Sequence, residues 1–243
     1  MSTSDSKSLP ERVADHVAGL PRSGIRDFFD IVATMDDVIS LGIGEPDFDT
    51  PWHVREAAIF ALERGATHYT SNLGLPRLRR ALAEYAAGSF GVRYDAETEV
   101  LVTVGVSEAL DLAVRALVNP GDEVLYHEPC YVSYRPLIQM AHGVPVVVPA
   151  VAEQDFRITA KDIEQRLTDR TRLLLLNFPN NPTGAVLTRE DVEGIARLAV
   201  ERDLVVVTDE IYAELSYDEP HACLAAMPGM RERTVLLHGM SKA

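Results

Sequence analysis

Arg172-Leu173-Leu174-Leu175-Leu176-Asn177-Phe178-Pro179-Asn180-Asn181-Pro182-Thr183-Gly184 joins two kinds of sequence without a break. Its first half is apolar with no polar alternation, the pattern of a strand buried on both faces. Its second half is built from Asn, Pro and Gly, which favour turns. The same grammar recurs on either side. Glu99–Val104 runs into Gly105-Val106-Ser107, Leu204–Thr208 into Asp209-Glu210-Ile211-Tyr212, and Thr234–Leu237 into His238-Gly239-Met240-Ser241-Lys242. Glu123–Tyr126 and Val144–Val148 add two more apolar strands. Helices are predicted between them over 107–118, 131–141 and 160–167, and from Thr188, whose Thr-Arg-Glu-Asp start resembles a capping box, to about residue 201. Apolar strands alternating with helices predict an α/β fold, a mainly parallel sheet sandwiched by helices.

Upstream the pattern is looser. Residues 24–35, 52–64 and 76–87 read as amphipathic helices and Val38–Leu41 as a short strand, followed by the loop Gly42–Pro51. No linker interrupts 99–243. Residues 51–243 therefore read as one large domain, preceded by an arm and entry loop at 1–50.

Composition narrows the function classes. The 243 residues are 47% hydrophobic and 25% charged, enough apolar material for a sizeable core. A formal net charge of -14 repels phosphate backbones and anionic lipid, so neither nucleic acid nor a membrane is an expected partner. Two cysteines, Cys130 and Cys223, cannot staple a chain this long and point to a reducing compartment. The polar N-terminus lacks the apolar segment of a secretory signal, and no run reaches the ~18 apolar residues of a membrane span. A cytoplasmic location is the expectation. No P-loop or GxGxxG occurs, and His127-Glu128-Pro129-Cys130 matches no common zinc spacing, so no metal is expected. Only three of the 23 basic residues are lysines: Lys7, Lys161 and Lys242.

In open α/β sheets ligands bind beyond the carboxyl ends of the strands. There the sequence places a Gly-Ser helix start, an amide, a carboxylate with a phenol, and a lysine. Each alone has an ordinary structural reading as a turn, a cap or a surface residue. Together on one edge they suit a phosphorylated pyridine aldehyde. Gly105 lets backbone N–H groups at a helix N-terminus approach a phosphate. A buried Asp209 keeps a pyridine nitrogen protonated, Asn181 and Tyr212 hydrogen-bond a ring hydroxyl oxygen, and Lys242 forms a Schiff base and shuttles a proton.

These residues carry a family likeness. With Leu41-Gly42-Ile43-Gly44-Glu45-Pro46-Asp47-Phe48-Asp49-Thr50-Pro51, His68–Arg79, Asn180–Gly184, Asp209–Tyr212 and Ser241-Lys242, the chain resembles the class I/II aminotransferases of fold type I, in particular their aspartate/aromatic subgroup. The resemblance implies pyridoxal 5′-phosphate as cofactor and a ping-pong transamination between an L-amino acid and a 2-oxo acid. It implies that Lys242, Asp209 and Tyr212 are catalytic, and that Gly44 and Asn181 meet substrate. It implies that Gly105, Val106, Ser107 and Ser241 bind the cofactor phosphate and that Tyr131 stacks on its ring. It implies that Tyr69 reaches the phosphate of a neighbouring subunit, hence a homodimer.

Members of the family continue past the lysine with a phosphate-binding arginine, further sheet and a small domain carrying a carboxylate-clamping arginine, a bidentate pair. This sequence ends at Ala243, so the resemblance implies an N-terminal fragment without that small domain. Other readings on the same fold are a C–S lyase, a decarboxylase or a cyclopropane-forming synthase; glutamate production from 2-oxoglutarate separates these from a transaminase. An inactive cofactor-binding fragment is a further alternative. A sensor domain of a transcription regulator needs a helix-turn-helix module that the ~40 residues before the first motif do not supply. The acidic, lysine-poor surface also fits a high-salt cytoplasm.

Overall fold

The computed structural model describes residues 8–21, 31, 34–35, 44, 48–218 and 220–242. The expected helix at 24–35 and strand at Val38–Leu41 fall almost wholly outside the described residues. The described helices are α1 (Asp15–Ala18), α2 (Trp52–Glu63), α3 (Pro76–Tyr85), α4 (Gly105–Leu117), α5 (Tyr134–Met140), α6 (Ala160–Glu164) and α7 (Arg189–Glu201). The strands are β1 (Glu123–Glu128), β2 (Val144–Pro149), β3 (Thr171–Asn177), β4 (Val205–Asp209) and β5 (Thr234–Leu237). They form one sheet in the order β2-β1-β3-β4-β5, and every neighbouring pair is parallel.

The unbroken apolar runs are explained by the two faces they serve. Side chains alternate along a strand, so Leu174 and Leu176 of β3 point opposite to Leu173 and Leu175. The first pair joins Leu125 and Val206 against Ile163 of α6 and Val192, Ile195 and Ala199 of α7. The second joins Val124, Tyr126 and Val207 against Leu110 and Val114 of α4 and Tyr134 and Ile138 of α5. All four leucines are buried. Burying each contributes roughly 1.5–3 kcal/mol. Helix α7 begins as its sequence predicts: Thr188 Oγ1 accepts from Asp191 N while the Asp191 carboxylate accepts from Thr188 N at 3.0 Å.

Three expectations need correction. Glu99–Val104 is not a strand. Its apolar residues have strand character, but a strand needs a ladder, and among the described residues no strand pairs with it. Val102 N donates instead to Leu73 O at 3.0 Å, and Val104 is largely exposed. The helix expected over 131–141 begins only at Tyr134, after a turn at Val132-Ser133. The helix expected over 160–167 stops at Glu164.

Candidate active site

The carboxyl ends of β3 and β4 lie side by side, with Asn177 registered against Asp209. Asp209 shares the face of Val207, which turns its carboxylate toward α5. There Tyr134 Oη donates to Asp209 Oδ2 at 2.8 Å, and Ile211 N donates to Oδ1 at 3.2 Å. Burial pushes the Asp209 carboxyl up to about 6, while the two hydrogen bonds and His238 pull it back toward ionisation. At neutral pH this is a buried anion, two of whose lone pairs are engaged. Burial, with Asp209 as the next cause, drives the Tyr134 phenol well above its ordinary value, so it remains a donor.

Asn177 knits the same edge. Its Nδ2 donates to Asp209 O at 2.9 Å, and its Oδ1 accepts from Asn181 N at 3.1 Å. Its own N–H donates to Nε2 of His127 at 3.3 Å, and His127 Nδ1 lies 3.2 Å from Pro129 O. A carbonyl only accepts, so the proton sits on Nδ1. Burial pushes the His127 pKa down to about 4 and keeps the ring neutral. Both ring nitrogens are engaged, which is the structural use of a histidine that could otherwise suggest a metal ligand. Asn181 Nδ2 in turn donates to Tyr212 Oη at 3.3 Å. Burial raises the Tyr212 phenol, Asn181 opposes that, and the nearby Asp209 and Tyr131 add to it. Tyr131 is half-buried and meets Tyr134 edge-on, with ring centroids 5.7 Å apart.

The start of α4 lies against the segment that follows β5, with Val106 beside Gly239. Gly105 has φ 73°, a left-handed value favoured by glycine, and a Cβ there would meet nothing within 4 Å. The helix has no side-chain cap hydrogen bond, and its first-turn Glu108 carboxylate accepts from Val104 N. Ser107 and Ser241 are exposed. Gly239, three residues before Lys242, is threaded so that a Cβ would lie 3.3 Å from both Val106 and Ile211. Lys242 Nζ donates to Gly44 O at 2.5 Å. The structure thus joins Asp209 to Tyr134, Asn181 to Tyr212, and Lys242 to Gly44. It does not bring Tyr69 in: that side chain is fully exposed. Tyr134, Asn177 and His127 are the participants that sequence reading missed.

The profile of the family described as aminotransferase class I and II matches residues 36–243. The chain belongs to this family. Its members use pyridoxal 5′-phosphate. The chain is 50% identical over 231 residues to YugH of Bacillus subtilis, covering 95% of this chain and 60% of that protein. It is 46% identical over 221 residues to the aspartate aminotransferase of Pyrococcus abyssi, covering 90% and 57%. Among solved structures, Thermus thermophilus aspartate aminotransferase with maleate superposes with a TM-score of 0.89 at 38% identity, over 95% of this chain and 60% of that one. The chain therefore spans about 60% of the length of the relatives it matches.

The aminotransferase cofactor fits the residues present. A buried carboxylate backed by a phenol suits a pyridinium nitrogen, an amide–phenol pair suits a ring oxygen, and an uncapped helix N-terminus with an open glycine suits a phosphate. Lys242 supplies the amine. Among the described residues no helix is long and apolar enough to cross a membrane.

Proposed function

We propose that the protein moves an amino group between an L-amino acid and a 2-oxo acid by a ping-pong mechanism. The observation that carries this reading is the buried Tyr134–Asp209 pair beside Asn181–Tyr212, on the edge that also carries Lys242. In this reading Asp209, Asn181, Tyr212 and Tyr131 hold the cofactor ring. The first-turn N–H groups of Val106 and Ser107, beside Gly105 whose own N–H donates to Thr103 O at 2.9 Å, would hold its phosphate with the Ser241 hydroxyl. When bound, pyridoxal phosphate supplies an electron sink for the bond-breaking at the amino carbon.

The chain's own groups do the rest. Asp209 keeps a proton at the ring nitrogen, because a buried anion in a low-dielectric site strongly favours a cationic partner. The Tyr212 Oη, placed by Asn181, would hold the ring oxygen by a hydrogen bond. Lys242 would hold and release the proton of the amino carbon through its Nζ, as a positioned amine can. Its contact with Gly44 O puts that amine beside the residue proposed to meet the substrate carboxylate. The chemistry of the second half-reaction is the reverse of the first, with the same groups.

A homodimer completes the reading. Tyr69 is fully exposed, as is expected of a side chain that reaches a neighbouring subunit, and α2 presents Trp52, Ile59, Phe60 and Leu62 to solvent. Large exposed apolar patches mark interaction sites. We place the protein in the cytoplasm. Incubation with pyridoxal phosphate, an L-amino acid and 2-oxoglutarate tests the function. Glutamate accumulating with the matching 2-oxo acid is the expected result, and its loss in Lys242→Ala ties it to this site. Product formation without glutamate would overturn the transaminase reading in favour of a lyase or decarboxylase.

A further inference from the structure

Glu210 follows Asp209 directly but faces the other way, into a buried cluster that no catalytic step above uses. Its carboxylate accepts from Thr208 Oγ1 at 2.8 Å and meets His221 Nε2. Burial opposes a charge on His221, yet the Glu210 contact holds its pKa above the ordinary histidine value. The backbone of Glu210 makes a second pair of links. Its N–H donates to Leu237 O at 2.8 Å, and its carbonyl accepts from His238 Nδ1 at 3.0 Å. His238 is in turn stacked on Tyr85 with centroids 5.5 Å apart and an interplanar angle of 12°, and Phe90 meets it edge-on at 5.2 Å. Its Nε2 lies 3.6 Å from Glu214 Oε1. Next along the chain, Gly239 is pinched between Ile211 and Val106.

We propose that His238, clamped to the Glu210 carbonyl, is a positioning residue that sets where Lys242 stands relative to Asp209. This rests on the reading of the edge as an aminotransferase cofactor site. The turn carrying Asp209 and Tyr212 and the segment carrying Lys242 leave different strands. The Glu210–Leu237 and Glu210–His238 links, with the fit of Gly239, fix one against the other. His238 is four residues before Lys242, and a chain spans at most ~3.3–3.6 Å per residue. A small rotation at His238 therefore becomes a displacement of the amine, and a misplacement of ~1 Å can cost about 10²-fold in rate.

Attachment of the cofactor reads this placement directly. Lys242 Nζ adds to the aldehyde carbon, a C=N bond replaces C=O, and the oxygen leaves as water. Borohydride then delivers hydride to that carbon while the nitrogen takes a proton, which leaves a stable secondary amine. The protein is loaded with pyridoxal phosphate, and total bound cofactor is measured beside the fraction fixed on the Lys242 peptide. His238→Phe keeps the aromatic packing and removes the N–H donor. His238→Asn keeps a donor near the Nδ1 position.

For His238→Phe we expect the cofactor dissociation constant to stay within about threefold while the fixed fraction and kcat fall about tenfold, the size of one lost hydrogen bond, with KM little changed. His238→Asn is expected to recover most of both. Glu214→Gln, at an exposed position and so safe for folding, should lower the fixed fraction about twofold through the weakened contact with Nε2. The positioning role of His238 is overturned if these variants match the parent, if cofactor uptake and lysine attachment fall in equal proportion, or if His238→Asn is no better than His238→Phe. A parent protein that forms no Lys242 adduct overturns the cofactor-site reading itself.

Discussion

The two ends of the candidate site are built differently. At the pyridine end, the polar groups at the carboxyl ends of β1, β3 and β4 are partnered within the protein: Asp209 by Tyr134, Asn177 by Asp209 O and Asn181, and His127 by Asn177 and Pro129. At the phosphate and lysine end, Gly105, Ser107 and Ser241 are exposed, and the helix start has no side-chain cap. The first end is preorganised, with its desolvation cost met by hydrogen bonds already made. The second is partnered only by local contacts, Val104 N to Glu108, Gly105 N to Thr103 O and Lys242 Nζ to Gly44 O, and offers the rest of its helix start to an anion. Substitutions at the two ends should therefore fail in different ways, by losing charge control at the first and by losing attachment at the second.

The largest effect is expected at the exposed end. Lys242→Ala removes both the attachment point and the proton carrier, and transamination should fall on the order of 10⁴-fold, since a positioned acid–base group alone contributes up to that factor. Thermal stability should scarcely change, because the side chain is only half-buried. Steady-state rates and a thermal melt on the same sample check this.

Asp209→Asn comes next and reverses that pattern. Without the anion, cofactor binding and turnover should fall about 10²-fold or more, comparable to losing a preorganised electrostatic contact. The folded-state carboxyl at about 6 lies above its ordinary 3.8, so the folded protein binds this proton more tightly than the unfolded chain. Its contribution to stability is complete below about 3.8 and is lost as pH rises through about 6. The apoprotein of Asp209→Asn should accordingly be more stable than the parent at pH 7, by on the order of 1–2 kcal/mol, in a denaturant melt. By the same ionisation, cofactor affinity of the parent apoprotein should decline as pH drops below about 6. A pH series of fluorescence titrations reads that decline, and a flat profile would contradict it.

Tyr134→Phe is milder. It leaves the anion but removes a buried donor, a hydrogen bond to a charged group worth roughly 1.5–3 kcal/mol. We expect about a tenfold loss in kcat, together with a shift of the cofactor-affinity profile to higher pH. Smallest is Gly105→Ala. Open space around its Cβ means no clash, so only the left-handed backbone opposes it, at about 1–2 kcal/mol. It should weaken cofactor phosphate binding several-fold and leave the pH profile unmoved.

The sheet was legible because its apolar runs are local signals. The strands expected at Arg172–Leu176, Leu204–Thr208 and Thr234–Leu237 form at Thr171–Asn177, Val205–Asp209 and Thr234–Leu237, and Thr188 caps α7 as its sequence suggests. Asn181 and Tyr212 were legible as neighbours on one edge because both follow strand ends there; that they hydrogen-bond each other was not. Tyr134 was not. A phenol within the predicted helix 131–141 reads as core, and its acceptor lies 75 residues away. His127 and Asn177 pair across β1 and β3, which no spacing rule within one strand reveals. Glu99–Val104 misled for the opposite reason: strand propensity is local, whereas a strand exists only beside another.

The central claim, that Lys242 and the Asp209 edge form one cofactor site, is tested most directly by borohydride reduction of the protein after loading with pyridoxal phosphate, followed by peptide mass mapping. Three lysines compete: Lys7, Lys161 and Lys242. The account predicts a single pyridoxyl adduct on Lys242, strongly reduced in Asp209→Asn. An adduct on Lys7 or Lys161, or one on Lys242 indifferent to Asp209, would contradict it.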